Sequence, residues 1–513
     1  MFSSSTKVLA RLHVAIITAL LAVGFGFPAG TAETSNDAKR TAFETIERNA
    51  GQIATVGDVL YYFGEPGMQE HESSKYLKET LEAAGFKVEL GGAGMPTNVW
   101  ATWGSGNPVI AIVTEMDALP EGSQTPGSIP RKPLVDGAPG HMEGHNVMAA
   151  VAVGAAHAVK NTMEQHKIPG TLVVSIGPAE EQLMSRPYLV RDGYFKNVDA
   201  AVLTHIADSS ATGYGLQNYA LIGAKFTFKG RTAHGGVNPW DGKDAVDAVV
   251  LMDIGFDKLR EHLRPTYRGH RTITNGGVQP NIIPDSGQIW WFVRDATGPW
   301  AKENFDKLVN IGRGAALMTD TTMEMEPFGA AWPSLGNKAI AEAIQKNIEV
   351  TGMPQWTEEE QKFARELQKS LNQKEQGLQT KVAPLLASRQ NSSSNDIGDI
   401  TWVVPSATVR FPSAVPGVQA HHWTAGIAPT MSIAHKGAVI GAKVMAASVL
   451  DLLTSPDLLA AAKKQFEQDT KDTKYFSLLP PGAKPPVELN KDIMDKFRPA
   501  MRKFYLDKKA QFK

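Results

Sequence analysis

The sequence predicts an α/β fold in which helices flank a mostly parallel sheet and a smaller α+β domain of four strands and two helices is inserted. Two observations carry this prediction. Short apolar runs rich in β-branched residues alternate with helical patterns in the first half of the chain. From about residue 216 to residue 333 the order changes to strand, helix, two strands, helix and strand. The 513 residues leave room for two to four domains of roughly 150 residues each.

Residues 1–32 have the three-part pattern of a secretory signal peptide. Lys7 and Arg11 precede an apolar run at 14–27, and the small residues Gly30 and Ala32 occupy the expected cleavage positions. The alternative is a membrane anchor, but this run is shorter than the ~20 residues that a spanning helix needs. No later stretch is expected to span. The sequence therefore predicts a periplasmic or secreted protein with no membrane contact after cleavage.

Residues 33–215 are predicted to form the first part of the larger domain. The clearest strands lie at 109–114, 171–176 and 200–204, and a helix rich in Ala and Val lies at about 146–160. A strand, a helix and a strand in this order form a βαβ unit, whose strands run parallel.

Residues 216–333 are predicted to form the inserted domain, and residues 334–513 return to the larger domain and add a C-terminal extension. The inserted domain has strands at 225–230, 272–277, 288–295 and 321–327, and helices at 245–263 and 300–317. After it we expect a helix at 338–350, a surface helix capped by Thr357, a strand at 401–404 and a solvated helix at 491–513.

The composition excludes several classes of function. Because the chain has no cysteine, it is not a disulfide scaffold, a thiolate zinc finger, an iron–sulfur protein or a cysteine-nucleophile enzyme. A net charge of −1 argues against a nucleic-acid partner. There is also no GxSxG elbow, no P-loop and no dinucleotide-binding fingerprint between a strand and a helix.

Acidic and imidazole side chains follow the predicted strands, where ligands bind in open α/β sheets. Taken singly, such residues are usually loop charge or hydrogen-bonded core histidines, so only their joint occurrence favours a metal site. With no thiolate, the ligands are nitrogen and oxygen, which suit zinc, manganese or cobalt. The clusters are Glu115 with Asp117, His141 with Glu143 and His145, Glu180 with Glu181, His205, and His421 with His422.

In this order and context, the clusters resemble the metallopeptidase-20 superfamily, in its amidohydrolase branch of aminoacylase-like and p-aminobenzoyl-glutamate hydrolase enzymes, and most of all the hydrolase's B-subunit type. The resemblance covers roughly residues 40–460. The matching stretches lie at 116–120, 141–146, 178–181, 228–234, 280–285, 396–402 and 420–423.

The resemblance implies a site for two divalent metal ions. It places Glu180 as the general base and Asp117 as the support of a ligand histidine. His421 is preferred over His422 because it stands two residues before Trp423, as in the related pattern. The residues at ligand positions are His145, Glu181, His205 and His421.

Glu143 departs from the family pattern. It stands where the branch usually has the cysteine that bridges the two metals. Either the site is weakened or lost, or Glu143 bridges as a carboxylate, as in other branches of the superfamily. We favour the second interpretation. A hard oxygen ligand in place of a thiolate then moves the preference from zinc towards manganese or cobalt.

The resemblance also gives the inserted domain a role as lid and dimerisation domain. It implies that His234 stabilises the oxyanion in the site of a neighbouring subunit, although a turn histidine is the alternative. Asn281 and Arg294 are candidates for binding the substrate carboxylate, but a strand arginine is commonly a surface ion-pair residue. Hinges near Leu216 and Pro333 would let the lid close. The expected partner is a second copy or a related second subunit.

The expected function is hydrolysis of the amide bond in N-acyl or N-aroyl amino acids, such as p-aminobenzoyl-glutamate, by a metal-dependent amidohydrolase. Two alternatives remain open. Sibling branches of the superfamily act as dipeptidases or carboxypeptidases on the same site, and the chain could also be a catalytically silent binding homologue.

Overall fold

The computed structural model describes residues 29–388 and 390–513, so residues 1–28 of the expected signal peptide lie outside the described residues. The helices are α1 (Ala29–Arg48), α2 (Ala50–Phe63), α3 (His71–Ala83), α4 (His145–His166), α5 (Arg186–Arg191), α6 (Ala245–Leu259), α7 (Gly298–Met318), α8 (Lys338–Thr351), α9 (Glu358–Ser370), α10 (Ile397–Thr401), α11 (Ser432–Thr454), α12 (Pro456–Thr470) and α13 (Lys491–Met501). The strands are β1 (Lys87–Leu90), β2 (Val99–Ser105), β3 (Val109–Glu115), β4 (Gly170–Gly177), β5 (Ala200–Ala207), β6 (Gly215–Leu216), β7 (Ala220–Lys229), β8 (Arg268–Asn275), β9 (Ser286–Asp295), β10 (Thr322–Ala331), β11 (Leu335–Gly336) and β12 (Ser406–Pro412).

The larger sheet has six strands in the order β1-β2-β4-β3-β5-β12. The strands β4, β3, β5 and β12 run parallel to one another, whereas β2 pairs antiparallel with β4 and with β1. The predicted fold class is confirmed. The sequence missed the antiparallel pair at the edge because its strands are short and partly exposed, so neither contains a long apolar run.

The prediction of a strand at 401–404 is wrong. Thr401 ends the short helix α10, where its hydroxyl donates to the carbonyl of Gly398 at 2.7 Å, a bond that a residue in a strand would not make. The backbone N–H of Val404 also bonds back to Ile400. The strand is β12, and it begins only after Pro405, which has no N–H to donate.

The helix α11 corrects the expectation that no stretch after the signal segment could span a membrane. By length and composition this helix is long and apolar enough, but 78% of its most apolar window is buried inside the protein. It packs against α4 and β12. A Cβ atom at Gly441 would lie 2.7 Å from the ring of Phe411, so the close approach of helix and sheet requires glycine at this position. The structure therefore uses α11 as a core helix.

A second sheet, in the order β10-β7-β9-β8, is antiparallel throughout and is covered on one face by α6 and α7. Its core contains Phe226, Phe228, Phe256 and Trp291, all of which are fully buried. The six predicted elements of the inserted segment are therefore all present. The chain enters this sheet after β6 and leaves it before β11. These two short strands pair with each other, with Leu216 opposite Leu335.

Two further predictions concern helix ends. The capped surface helix is α9, where Thr357 and Glu360 form a reciprocal capping box. The helix expected at 491–513 is shorter than predicted: α13 ends at Met501, and the chain continues without helix beyond residue 504. Here the aromatic residues Tyr505 and Phe512 pack against the core of the larger domain, so their spacing reflects burial and not a helix face.

Candidate metal centre

Five elements bring the candidate ligands to one edge of the larger sheet. Because parallel strands end at the same edge, the residues after β3 and β4 and the last part of β5 lie together. His205 belongs to β5, and Glu180 and Glu181 form a short turn after β4. His145 opens α4, and His421 lies in the loop after β12. The structure thus brings together all the residues that the sequence assigned to the metals.

One half of the cluster is formed by His145, Glu180 and Glu181. The Nε2 atom of His145 lies 3.8 Å from Oε2 of Glu180 and 4.0 Å from Oε1 of Glu181. These ligand atoms are close enough to surround a single ion.

The other half contains His205, His421 and Glu143. The two oxygens of Glu143 face different histidines, with Oε1 3.4 Å from Nε2 of His205 and Oε2 2.6 Å from Nε2 of His421. His421 is also 3.1 Å from Oε2 of Glu181. Each of the two carboxylates therefore contacts more than one histidine of the cluster.

The backbone around these ligands adopts left-handed conformations. Gly144 has a φ of +90°, and a Cβ atom there would lie 2.5 Å from Ile206, so only glycine lets both Glu143 and His145 face the cluster. Ala179 and His421 have φ values of +49° and +59°. Non-glycine residues in this region are strained and concentrate at functional sites.

Asp117 fixes the orientation of His145. The Nδ1 atom of His145 is 3.0 Å from the carbonyl oxygen of Asp117 and 3.2 Å from its Oδ1, so in the neutral ring this nitrogen donates. The other carboxylate oxygen accepts the N–H of Glu181 at 3.0 Å. The buried carboxylate of Asp117 thus positions both a histidine ligand and a carboxylate ligand.

A divalent cation fits this arrangement. The Nε2 atom of His145 is buried and has no hydrogen-bond partner among the residues of the described ranges. With Nδ1 donating to Asp117, this Nε2 presents a lone pair towards Glu180 and Glu181. An imidazole lone pair beside two buried carboxylates is a set of ligand atoms that divalent cations bind in proteins, and one cation satisfies all three groups.

Burial and neighbouring charges shift the pKa values of the side chains in this cluster. Burial, together with the charges of Glu181 and Glu115, raises the pKa of Glu180 well above its usual value. Burial also raises the pKa of Glu181. At Glu143 burial acts upwards too, but hydrogen bonds from His205 and His421 hold the pKa far below its usual value. Hydrogen bonds to Glu143 and Glu181 raise the pKa of His421 to about 10.

Two buried residues that the sequence did not single out support the ligand-bearing loops. Glu70 accepts the N–H of Ala179 at 2.9 Å, directly before Glu180, and the hydroxyl of Thr97 at 2.8 Å. Arg186 pairs with Glu115 at 2.6 Å and with Asp396 at 3.2 Å. Neither belongs to a recognisable motif, so only the three-dimensional structure identifies them.

The cluster lies in a cavity of about 540 Å³ between the larger domain and the inserted domain. Phe292 and Arg294 of β9 line one part of its wall, and residues 391 and 393–395 line another. Arg410 of β12 also lines it. The sequence missed Arg410 because it placed the strand at 401–404. With the correct strand, Arg410 pairs in register with His205.

The remaining candidates lie elsewhere. The ring of His422 bonds to the hydroxyl of Thr424 at 2.8 Å, and His141 is a core residue 3.1 Å from the carbonyl of Leu60. His234 and Asn281 are exposed neighbours on the inserted domain, and neither lines the cavity of its own chain. Of the predicted substrate-binding residues, the structure therefore brings only Arg294 to the cluster.

The chain is similar to proteins of one enzyme family. The family model described as peptidase family M20/M25/M40 matches residues 111–509. The B subunit of the p-aminobenzoyl-glutamate hydrolase of Escherichia coli (strain K12) is 31% identical over 469 residues, which are 86% of this chain and 97% of the relative. The Xaa-Arg dipeptidase of Mus musculus is 27% identical over 84% of this chain and 92% of the relative. A crystal structure from Bacillus subtilis, described as a dinuclear metal-binding peptidase of the M20 family, covers 80% of this chain and 99% of its own with a TM-score of 0.52 and 17% identity. The resemblance predicted from the motifs is confirmed.

Proposed function

Because this chain belongs to peptidase family M20/M25/M40, whose members hydrolyse amide bonds, we propose that its substrates are N-acyl or N-aroyl amino acids, such as p-aminobenzoyl-glutamate. The observation that carries this proposal is the joint placement of Glu180 and four candidate ligands on the wall of one cavity, with the fifth, His145, buried directly beside Glu180 and Glu181. The relative that is 31% identical is named for that substrate.

In the proposed mechanism, two divalent metal ions would be held by His145, Glu181, His205, His421 and Glu143. Such ions would supply Lewis-acid polarisation of the amide carbonyl and a lower pKa for water in the site. Glu180 takes a proton from the attacking water and delivers it to the nitrogen of the leaving amine. Asp117 keeps the Nδ1 proton of His145 in place, so Nε2 stays directed at the cluster.

We propose that His234 supplies the donor for the oxyanion in the site of a partner subunit. Its Nδ1 accepts the N–H groups of Gly236 at 3.1 Å and Val237 at 3.2 Å, so the neutral ring carries its proton on Nε2, which can donate. The surrounding surface supports a contact between subunits, because Trp240 and Val278 are 77% and 91% exposed. The partner is a second copy or a related second subunit.

The ligand set and the N-terminal segment support two finer proposals. Because Glu143 offers hard oxygen atoms where relatives are expected to have a thiolate, the metal preference of the site should move from zinc towards manganese or cobalt. The charged and apolar pattern of residues 1–32 supports export to the periplasm or the medium.

A dipeptidase is the main rival, since one relative is named an Xaa-Arg dipeptidase. Purified protein reconstituted with Mn²⁺, Zn²⁺ or Co²⁺ should hydrolyse N-acetyl, N-benzoyl and p-aminobenzoyl amino acids, with metal-free protein as the control. Turnover of dipeptides with free amino termini, and of no N-acylated amino acid, would establish the rival activity. Turnover of neither class would identify a silent binding homologue.

A further inference from the structure

Two guanidinium groups from different domains line the cavity. Arg410 lies on β12 of the larger sheet, and Arg294 lies on β9 of the inserted domain. The cavity wall also carries the carboxylates Glu143, Glu180 and Glu181, but these face the histidines of the metal cluster.

Among the residues that the structure describes, no carboxylate forms an ion pair with the side chain of Arg410. Its backbone N–H and C=O are both bonded to Ala211, which fixes this part of β12. In register beside His205, its side chain lies next to the metal cluster, yet it forms no hydrogen bond or ion pair within residues 29–388 and 390–513. Burial lowers the pKa of this guanidinium, against the charge of Glu143, but an arginine in a protein stays charged.

Arg294 is in a similar state. One of its terminal nitrogens donates to the carbonyl of Ser392 at 3.2 Å, and its Nε is buried without a partner in the part of the chain that is described. No carboxylate of the described residues pairs with it. Burial lowers its pKa as well.

Arg186 is a buried arginine with a structural role, and it provides a comparison. Its guanidinium pairs with both Glu115 and Asp396. A charge that is largely removed from water without such a partner is destabilised by desolvation. Two incompletely paired guanidiniums in one cavity therefore indicate that anionic groups of a ligand complete them.

We infer that Arg410 is a specificity-determining residue, which binds a second carboxylate of the substrate while Arg294 binds the first. The enzyme then selects N-acyl amino acids that carry two carboxylates. This inference rests on the proposed function. The second carboxylate belongs either to the side chain of an acidic amino acid or to the acyl group, and both present the same chemistry to a guanidinium.

The test measures ligand binding separately from turnover. In a Glu180→Gln background, which leaves substrates intact, calorimetry compares N-benzoyl-glutamate with N-benzoyl-glutamine, and N-(4-carboxybenzoyl)-leucine with N-benzoyl-leucine. We expect one dicarboxylate to bind about 10- to 100-fold more tightly than its monocarboxylate partner. Arg410→Gln should abolish that preference and leave monocarboxylate binding within about threefold, and Arg410→Lys should keep part of it.

Kinetic measurements on enzyme with Glu180 intact add a second readout. Arg410→Gln should raise KM for the preferred dicarboxylate more than it lowers kcat. Arg313→Gln, which changes an exposed arginine on α7, is the matched control and should behave as wild type. Equal losses for both substrate classes, or an unchanged preference for the dicarboxylate, would overturn the inference. A preference in binding without any turnover would instead contradict the proposed function alone.

Discussion

Glu143 provides the carboxylate that allows a metal site in a chain without cysteine. Its two oxygens face His205 and His421, at 3.4 Å and 2.6 Å, so one carboxylate can serve two metal positions. Hydrogen bonds from these histidines hold its pKa far below the usual value, although burial acts the other way. A residue that remains ionised in a largely buried cluster is suited to bind cations.

Glu143→Cys should change which metal the site prefers. A thiolate is a softer ligand than a carboxylate, so the variant should take up more zinc relative to manganese than wild type does when both are offered in excess. Metal analysis of the loaded protein measures this ratio, and Glu143→Ala is the control that should lose metal without a shift towards zinc. Unchanged metal content and preference in the cysteine variant would exclude Glu143 as a ligand.

At the residue scale, the sequence predicted the candidate ligands, Asp117 and Arg294, but not the other charged groups around them. The ligands follow strands and match the family motifs, so spacing and order were sufficient. Glu70 reaches Ala179, and Arg186 reaches Glu115 and Asp396, all more than 70 residues away in the sequence. Arg410 is a single charge on a strand that the sequence placed elsewhere. Their functions depend on which elements pack together, and a single sequence does not contain that information.

At the scale of elements, a buried carboxylate joins α10, the end of the inserted domain and the C-terminal extension. Asp399 accepts the N–H of Trp332 at 3.0 Å and the hydroxyl of Tyr475 at 2.7 Å. The ring of Trp332 also packs between Trp402 and Phe476. The C-terminal extension therefore contacts the chain where it leaves the inserted domain.

Asp399 should make the stability of this junction depend on pH. Burial raises its pKa from 3.8 to about 7, although Tyr475 and Trp332 donate to it. Because the pKa is raised in the folded state, the contribution of Asp399 to the free energy of unfolding is complete below pH 3.8. This contribution is lost as the pH rises through about 7. The loss is about 4 kcal/mol at most, because each pKa unit is worth about 1.4 kcal/mol.

Chemical unfolding of metal-free wild type and Asp399→Asn at pH 4.5 and 7.5 measures this effect. The free energy of unfolding of wild type relative to the variant should fall between the two pH values, because an amide does not ionise. Asp306→Asn, at an exposed ion pair on α7, is the control and should show no such change. A difference between wild type and Asp399→Asn that is the same at both pH values would contradict the expected shift.

Elements with long apolar runs were predictable, whereas elements defined by their ends were not. The strands β3, β4 and β5 and the helix α4 carry continuous buried faces, so their patterns were clear. The chain at 397–412 mixes a short helix, Pro405 and a strand within 16 residues, and its apolar side chains do not distinguish the two states.

At the scale of the whole molecule, the candidate metal cluster and His234 lie on different parts of one chain. His234 does not line the cavity of its own chain, although the resemblance gives it a catalytic role. In the proposed homodimer, the inserted domain of the partner would bring His234 to the site. This arrangement would account for the distance between His234 and the cavity of its own chain.

Mixing two inactive variants tests this arrangement. His234→Ala and Glu180→Gln should each be nearly inactive, and a 1:1 mixture allowed to exchange subunits should recover about a quarter of wild-type activity, since half the dimers contain one intact composite site of two. A mixture of His234→Ala with itself after the same treatment is the control. No recovery in a mixture shown to contain mixed dimers would exclude a site shared between subunits.

The most direct test of the central claim, a two-metal hydrolytic site with Glu180 as its base, combines metal binding and turnover on the same samples. Mn²⁺ is titrated calorimetrically into metal-free wild type and Glu180→Gln, and hydrolysis of p-aminobenzoyl-glutamate is then measured. We predict that both proteins bind two ions per chain and that turnover by the variant is lower by about a hundred- to ten-thousand-fold. Wild type that binds no metal, or a variant that hydrolyses the substrate as fast as wild type, would contradict the account.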